Sequence, residues 1–252
     1  MEERYYEEYF EVEDRHWWFA GRRRIFLRLL DRHLGPAEGR PRRVLDAGCG
    51  TGTMLRHLAR YGEPEGMDAD ARAVELCHQR GLDRVRLVES PPLPWEDGTF
   101  DLVTALDVVE HADDDRALLR ELARVTRPGG LVLVSVPAFT WLWGPQDEIS
   151  HHKRRYVARE LEQRVRGAGL EPRHVSYFNT LLFPPIAAVR LLRPLLPRRS
   201  GELRSDFELT KPGRLNDLLG RVFGAEARAV ERLRLPFGVS ILAVAARPDG
   251  GA

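Results

Sequence analysis

Between Arg24 and Leu34 the apolar residues Ile25, Phe26, Leu29, Leu30 and Leu34 recur at helical spacing, with arginines and Asp31 opposite. An amphipathic helix is predicted there, entered through His16-Trp17-Trp18-Phe19. The pattern then changes period. Arg43-Val44-Leu45-Asp46 reads as a short buried strand running into glycines 48, 50 and 52, with a helix through Met54, Leu55 and Leu58 behind it. The alternation repeats with strand Glu65–Asp68, helix Ala71–Arg80, and strands Val85–Glu89 and Phe100–Leu106. A helix that buries Leu118, Leu122 and Val125 stops at Pro128-Gly129-Gly130, ahead of the apolar strand Leu131–Val136. A further helix, with Val157, Leu161, Val165 and Ala168 on one face, leads through Gly169 to a sixth strand, His174–Phe178, and Ile241–Ala245 is the seventh. Strands alternating with helices predict an α/β fold, a doubly wound and mostly parallel sheet flanked by helices.

Roughly sixty residues separate the sixth and seventh strands, far more than an ordinary connection. The chain is accordingly divided into an N-terminal helical cap (1–39), a ligand-binding α/β domain (40–180), a lid or substrate insertion (181–236), and the last strand with its tail (237–252). Within the insertion, Leu181-Leu182-Phe183, Ile186, Val189, Leu191-Leu192 and Leu195-Leu196 are too much apolar surface to leave in water. They either complete the core or clasp a lipophilic ligand. Pro184, Pro185, Pro194 and two arginines interrupt residues 181–197, so no spanning helix is expected, although Arg190, Arg193, Arg198 and Arg199 beside the leucines would suit a peripheral contact with anionic lipid.

Charge narrows the partners. The 252 residues carry 39 Lys plus Arg against 38 Asp plus Glu, a formal charge of +1, which gives no general footprint for nucleic acid. Local clusters such as Arg22-Arg23-Arg24 and Arg40 to Arg43 are the only features pointing that way. Cys49 and Cys77 have no CxxC spacing, so neither a disulfide framework nor a zinc site is indicated, and no other metal is expected. The acidic, aromatic start lacks the form of a signal peptide, and a cytoplasmic location, with peripheral membrane contact as an option, is expected.

The glycine loop carries the first chemical signal. Glycines between a strand and a helix N-terminus let backbone approach a ligand closely. Here Gly48, Gly50 and Gly52 follow Asp46, whereas a nicotinamide-binding loop spaces its third glycine one residue later, and this argues against a nicotinamide oxidoreductase. Gly66-Met67-Asp68 places an acidic residue at the end of the second strand.

Val44 to Gly52, Gly66-Met67-Asp68, Leu93 to Asp101, Asp107-Val108-Val109-Glu110-His111 and Arg127-Pro128-Gly129-Gly130 stand in the order of the class I S-adenosylmethionine-dependent methyltransferase family, which the sequence resembles strongly over about residues 40–140. Outside that block, His16 to Phe19, His152 to Tyr156 and Leu235 to Ser240 resemble a bacterial branch of the same family. The resemblance implies a Rossmann-like, seven-stranded fold, S-adenosylmethionine as cofactor and S-adenosylhomocysteine as product. It implies cofactor contacts from Asp46, Gly48, Cys49, Gly50 and Gly52 around the methionine part, and from Asp68 and Ala69 at the ribose. Glu89 and Ser90 would lie near the adenine, with Leu106 and Asp107 under the methionine.

Methyl transfer is an in-line displacement at an already activated carbon, so the protein mainly aligns the nucleophile, and a general base is optional. His111, at the carboxyl edge of the sheet, is the candidate base or acceptor-orienting group, with a capping histidine as the alternative. His152, Arg155 and Tyr156 are candidate substrate contacts, against a solvated helix entrance. Trp17 is a third, either closing over the site or packing the first helix. Asp113 to Asp115 are expected to cap a helix rather than bind metal. The expected acceptor is a small molecule or lipid-linked metabolite. A non-catalytic cofactor-binding protein and an RNA methyltransferase are the other readings.

Overall fold

The computed structural model describes residues 3–35, 39–192 and 213–249. Leu195, Leu196, Arg193, Arg198 and Arg199 of the expected insertion lie outside them. The chain opens with α1 (Glu3–Val12) and α2 (Trp17–His33). The α/β repeat follows as β1 (Arg42–Ala47), α3 (Thr53–Leu58), β2 (Gly62–Asp68), α4 (Ala71–Gln79), β3 (Val85–Leu87) and β4 (Phe100–Leu106). Next come α5 (Asp115–Val125), β5 (Thr126–Pro137), α6 (Pro145–Ile149), α7 (Ala158–Gly167) and β6 (Glu171–Phe178). The remainder is α8 (Phe183–Leu192), α9 (Arg214–Ala225), α10 (Ala227–Arg232) and β7 (Ser240–Ala246).

Seven strands form one sheet in the order β3-β2-β1-β4-β5-β7-β6. Strands β1 to β5 pair in parallel, and β7 runs antiparallel between β5 and β6, with Val134 opposite Ala243 and Val175 opposite Ala243 on its other side. Alternate residues along each strand feed two cores. Leu45, Val103, Val132 and Val134 face Leu118, Leu122, Leu161 and Val165 of α5 and α7, while Val44, Leu102, Leu133 and Val244 face Ile25, Phe26, Leu29 and Phe223. Strand order reverses around β1 and β4, and that switch point positions the cavity described below.

Four local readings change. Helix α2 begins at Trp17 rather than Arg24, because His16 caps it by accepting from the Trp18 amide. Helix α5 ends at Val125, and Pro128-Gly129-Gly130 belongs to β5, where Gly129 (φ 72°) donates to the Arg247 carbonyl. Val157, expected on the buried face of α7, is exposed at its N-cap. The stretch expected as a lid is divided. Helix α8 stands at the cavity with only Ala187 buried, whereas Phe223, Ala227 and Val230 of α9 and α10 pack into the α2 core.

Candidate active site

One cavity of about 1200 Å³ runs past the carboxyl ends of β1, β2 and β4. Its floor is the turn after β1. The amides of Gly48 and Cys49 both donate to the Met67 carbonyl, at 2.8 and 2.9 Å, and the Gly50 amide donates to Asp68 Oδ2 at 2.8 Å. Gly48 and Gly50 take φ of 71° and 55°, the left-handed region that glycine adopts without strain. A Cβ on Gly48 would collide with Val108, whereas one on Gly50 would meet nothing and project into open space. Such a floor admits a ligand against bare backbone. Gly52 differs from the expectation: it does not line the cavity, and a Cβ there would meet Leu82 and Cys77, so its role is to seat α3 on α4. Cys49 lines the cavity as a free thiol, with its Sγ 4.0 Å from that of Cys77.

Two buried carboxylates face this floor. Asp46 accepts from Thr104 Oγ1 at 2.5 Å, and burial raises its carboxyl to about 7, against the pull of that hydroxyl. Asp68 also accepts from the Asp70 amide at 3.0 Å; burial raises it from the ordinary carboxylate range despite these backbone donors. Its two oxygens, with about four acceptor sites between them, keep room for further donors. Ala69, Glu89 and Ser90 line the same end, and Leu106 and Asp107 the middle. Asp107 (φ 58°) accepts from Ser135 Oγ at 2.8 Å and pairs with Arg22 of α2.

Beyond Asp107 a one-turn 3-10 helix, Val109–His111, presents Glu110 and His111 to the cavity. The loop after α6 is tied to that turn by the Lys153 amide, which donates to the Glu110 carbonyl at 3.0 Å, and so brings His152 against His111, with ring centroids 4.8 Å apart. Burial, then the neighbouring His152, lowers His111 to about 4, which leaves it neutral near pH 7. Burial, then Asp107, raises Glu110. His152 Nδ1 lies 2.8 Å from Asp147 Oδ1, and Arg155 grips both oxygens of Asp147 at 2.8 and 2.9 Å. Burial would raise Asp147, but His152 and Arg155 outweigh it and hold the carboxyl at about 2.

Arg155 therefore borders the cavity as the brace of Asp147 rather than as a free guanidinium. Tyr156 corrects the expectation outright. It is 1% exposed in the core and donates to Asp115 Oδ2 at 2.9 Å, away from the cavity. Asp114 caps α5 as anticipated, accepting from the Ala117 amide at 2.9 Å. Trp17 both lines the cavity and packs edge-on to Phe223, its amide donating to Asn216 Oδ1 at 2.8 Å.

Several lining residues were not singled out from sequence: Tyr6, Tyr9 and Glu13 from α1 and the turn after it, Arg22, Thr53, and Glu110. Glu13 accepts from Thr51 Oγ1 at 2.5 Å. Tyr6, Tyr9 and Phe10 fall at helical spacing, and that amphipathic signal would have revealed α1. The far wall is apolar, formed by Leu182, Pro185, Ile186 and Val189 of the α8 region.

A switch-point cavity floored by Gly48 and Gly50, with Asp68 closing β2, defines a class I S-adenosylmethionine-dependent methyltransferase domain. The chain belongs to the methyltransferase-domain family, whose model matches residues 18–175. It is 33% identical over 108 residues to a ubiquinone biosynthesis O-methyltransferase of Bordetella avium (strain 197N), covering 40% of this chain and 44% of that one. The chain thus spans less than half the length of that relative. In structure it resembles geranyl diphosphate methyltransferase in complex with SAM (TM-score 0.56, 21% identity, 87% and 82% of the two chains). It also resembles the [4+2]-cyclase SpnF (TM-score 0.56, 22% identity, 90% and 81%). At those identities the likeness is one of fold.

Proposed function

We propose that the protein transfers a methyl group from S-adenosylmethionine to a small-molecule acceptor with an apolar body, on oxygen in the first instance. The observation that carries the reading is a single cavity joining the Gly48–Asp68 floor to the His111–His152 cluster and the apolar α8 wall. Its volume of about 1200 Å³ exceeds the ~300–1,000 Å³ typical of one drug-sized ligand, so cofactor and acceptor fit side by side. Asp68 would hold the ribose hydroxyls, Glu89 and Ser90 the adenine end, and Gly48, Gly50 and Asp107 the methionine end. Bound there, S-adenosylmethionine supplies a methyl carbon activated by its sulfonium. His111 and His152 orient the acceptor atom, and Trp17, Trp18 and Phe19 wall the cavity against water.

An acceptor with a long apolar portion, including a lipid-linked one, is supported by α8. Leu181, Val189, Leu191 and Leu192 are exposed beside the cavity wall, which also favours a peripheral lipid contact through residues 181–192. No helix among the described residues is long and apolar enough to cross a membrane. RNA is disfavoured because three of the candidate arginines are paired within the fold: Arg22 with Asp107, Arg40 with Asp101 and Arg43 with Glu65.

Calorimetric titration of the purified chain with S-adenosylmethionine, S-adenosylhomocysteine and NAD tests the reading. Micromolar binding of the first two without NAD is expected. Binding of NAD alone, or of none, overturns it.

A further inference from the structure

We propose that Glu110, His111 and His152 form a site for one divalent first-row transition-metal ion at the acceptor side of the cavity. Glu110 is completely buried, and among the described residues neither of its carboxylate oxygens has a hydrogen-bond partner. A buried carboxyl without partners is costly unless something electropositive reaches it. Two imidazoles face it. One nitrogen of each ring and a Glu110 oxygen lie within 4.8 Å of one another, and His152 Nε2 is 3.8 Å from Glu110 Oε1. Around a four-coordinate ion with bonds of ~2.0–2.1 Å, donor atoms stand roughly 3.3 Å apart, so side-chain adjustments of about an ångström would close the set.

The surroundings fix these donors as they do in metal centres, where a ligating histidine gives its other ring nitrogen to a carboxylate or the backbone. His152 Nδ1 is held by Asp147, itself clamped by Arg155, and that leaves Nε2 toward Glu110. The His111 ring stands edge-on to that of His152, with centroids 4.8 Å apart. Two imidazoles with one carboxylate suit zinc, iron(II), cobalt or manganese better than magnesium or calcium, which take all-oxygen sets. Because all three residues line the cavity, the remaining coordination positions open toward the acceptor. An acceptor hydroxyl there would release its proton to water more readily, as zinc-bound water does with a pKa near ~7. His111 would then orient the acceptor through the ion. Only that last role rests on the methyltransferase reading; binding of the ion does not.

The test uses the full chain stripped with a chelator and titrated with Co(II), then Zn(II), without cofactor, followed by calorimetry and by the visible absorption of bound Co(II). Expected are one ion per chain, displacement of Co(II) by Zn(II), and an affinity weakened about tenfold or more in both Glu110→Gln and His152→Ala. His78→Ala, at an exposed histidine outside the cavity, leaves it unchanged. Circular dichroism melts confirm that each variant folds, and His152→Ala serves if Glu110→Gln does not. Absence of stoichiometric binding, or equal affinity in a folded variant, overturns the site. Titration of the same metal-free protein with S-adenosylmethionine separates the two claims, since cofactor binding without Co(II) binding removes the ion alone.

Discussion

The Asp68 carboxylate has two tasks, and its neighbours show how they combine. It fastens the glycine turn through the Gly50 amide and turns the chain toward α4 through the Asp70 amide, while facing the cavity. Asp68→Ala is expected to weaken S-adenosylmethionine binding by about 1 to 3 kcal/mol, since ribose hydroxyls lose their acceptor as the turn loosens; an unchanged Kd by calorimetry would remove the assignment. His111→Ala separates binding from chemistry. With an acceptor in hand, kcat should fall about tenfold or more at a nearly constant cofactor Kd, and an unaltered rate would return His111 to a structural role. Sequence could place Asp68 and His111 at the carboxyl edge of the sheet, where both line the cavity, because strand ends fix such positions. It misplaced Tyr156 because a tyrosine among arginines reads as polar, while the chain hides its hydroxyl against Asp115. It passed over Glu110 because nothing local distinguishes a carboxyl that ends up buried with no hydrogen-bond partner among the described residues.

At the scale of elements, the contact between α2 and α9 decides how the N-terminal helices meet the sheet. Phe223 is fully buried, stacks on Phe178 at 6.2 Å between centroids, touches Trp17 and Trp18, and covers Gly21, where any Cβ would collide with its ring. Phe223→Ala should cost about 3 to 5 kcal/mol and lower Tm by roughly 6 to 20 °C. A calorimetric loss below ~1 kcal/mol would mean that α9 docks without that ring. The alternating helices and strands were legible because period 2 and period 3.6 are local properties. The fate of residues 181–236 was not, since apolar residues that pack on α2, such as Phe223 and Val230, and apolar residues that wall a cavity, such as Leu182 and Ile186, carry the same local pattern.

Across the whole molecule, buried acids pull stability in opposite directions with pH. Asp101, despite burial, is held below the ordinary range by Arg40, the Arg43 amide and Arg127, so its contribution is present above pH ~4 and lost as pH falls below that. Asp46 has the reverse sign. Burial lifts its folded-state carboxyl to about 7, so the folded chain holds a proton that the unfolded chain has released above pH ~4. That stabilisation is complete below pH ~4 and disappears as pH rises through about 7. Asp46→Asn should therefore gain on the parent protein between pH 5 and pH 8 by an amount on the order of a few kcal/mol in urea unfolding, and a constant difference would contradict the assignment. The sheet order carries a consequence for how the chain is made. Because β7 lies between β5 and β6, a ribosome delivers both flanking strands before the one that joins them, with roughly sixty residues intervening. At ~5–20 residues per second the nascent chain waits several seconds with two facing strand edges unpaired, an interval in which a chaperone has most to protect.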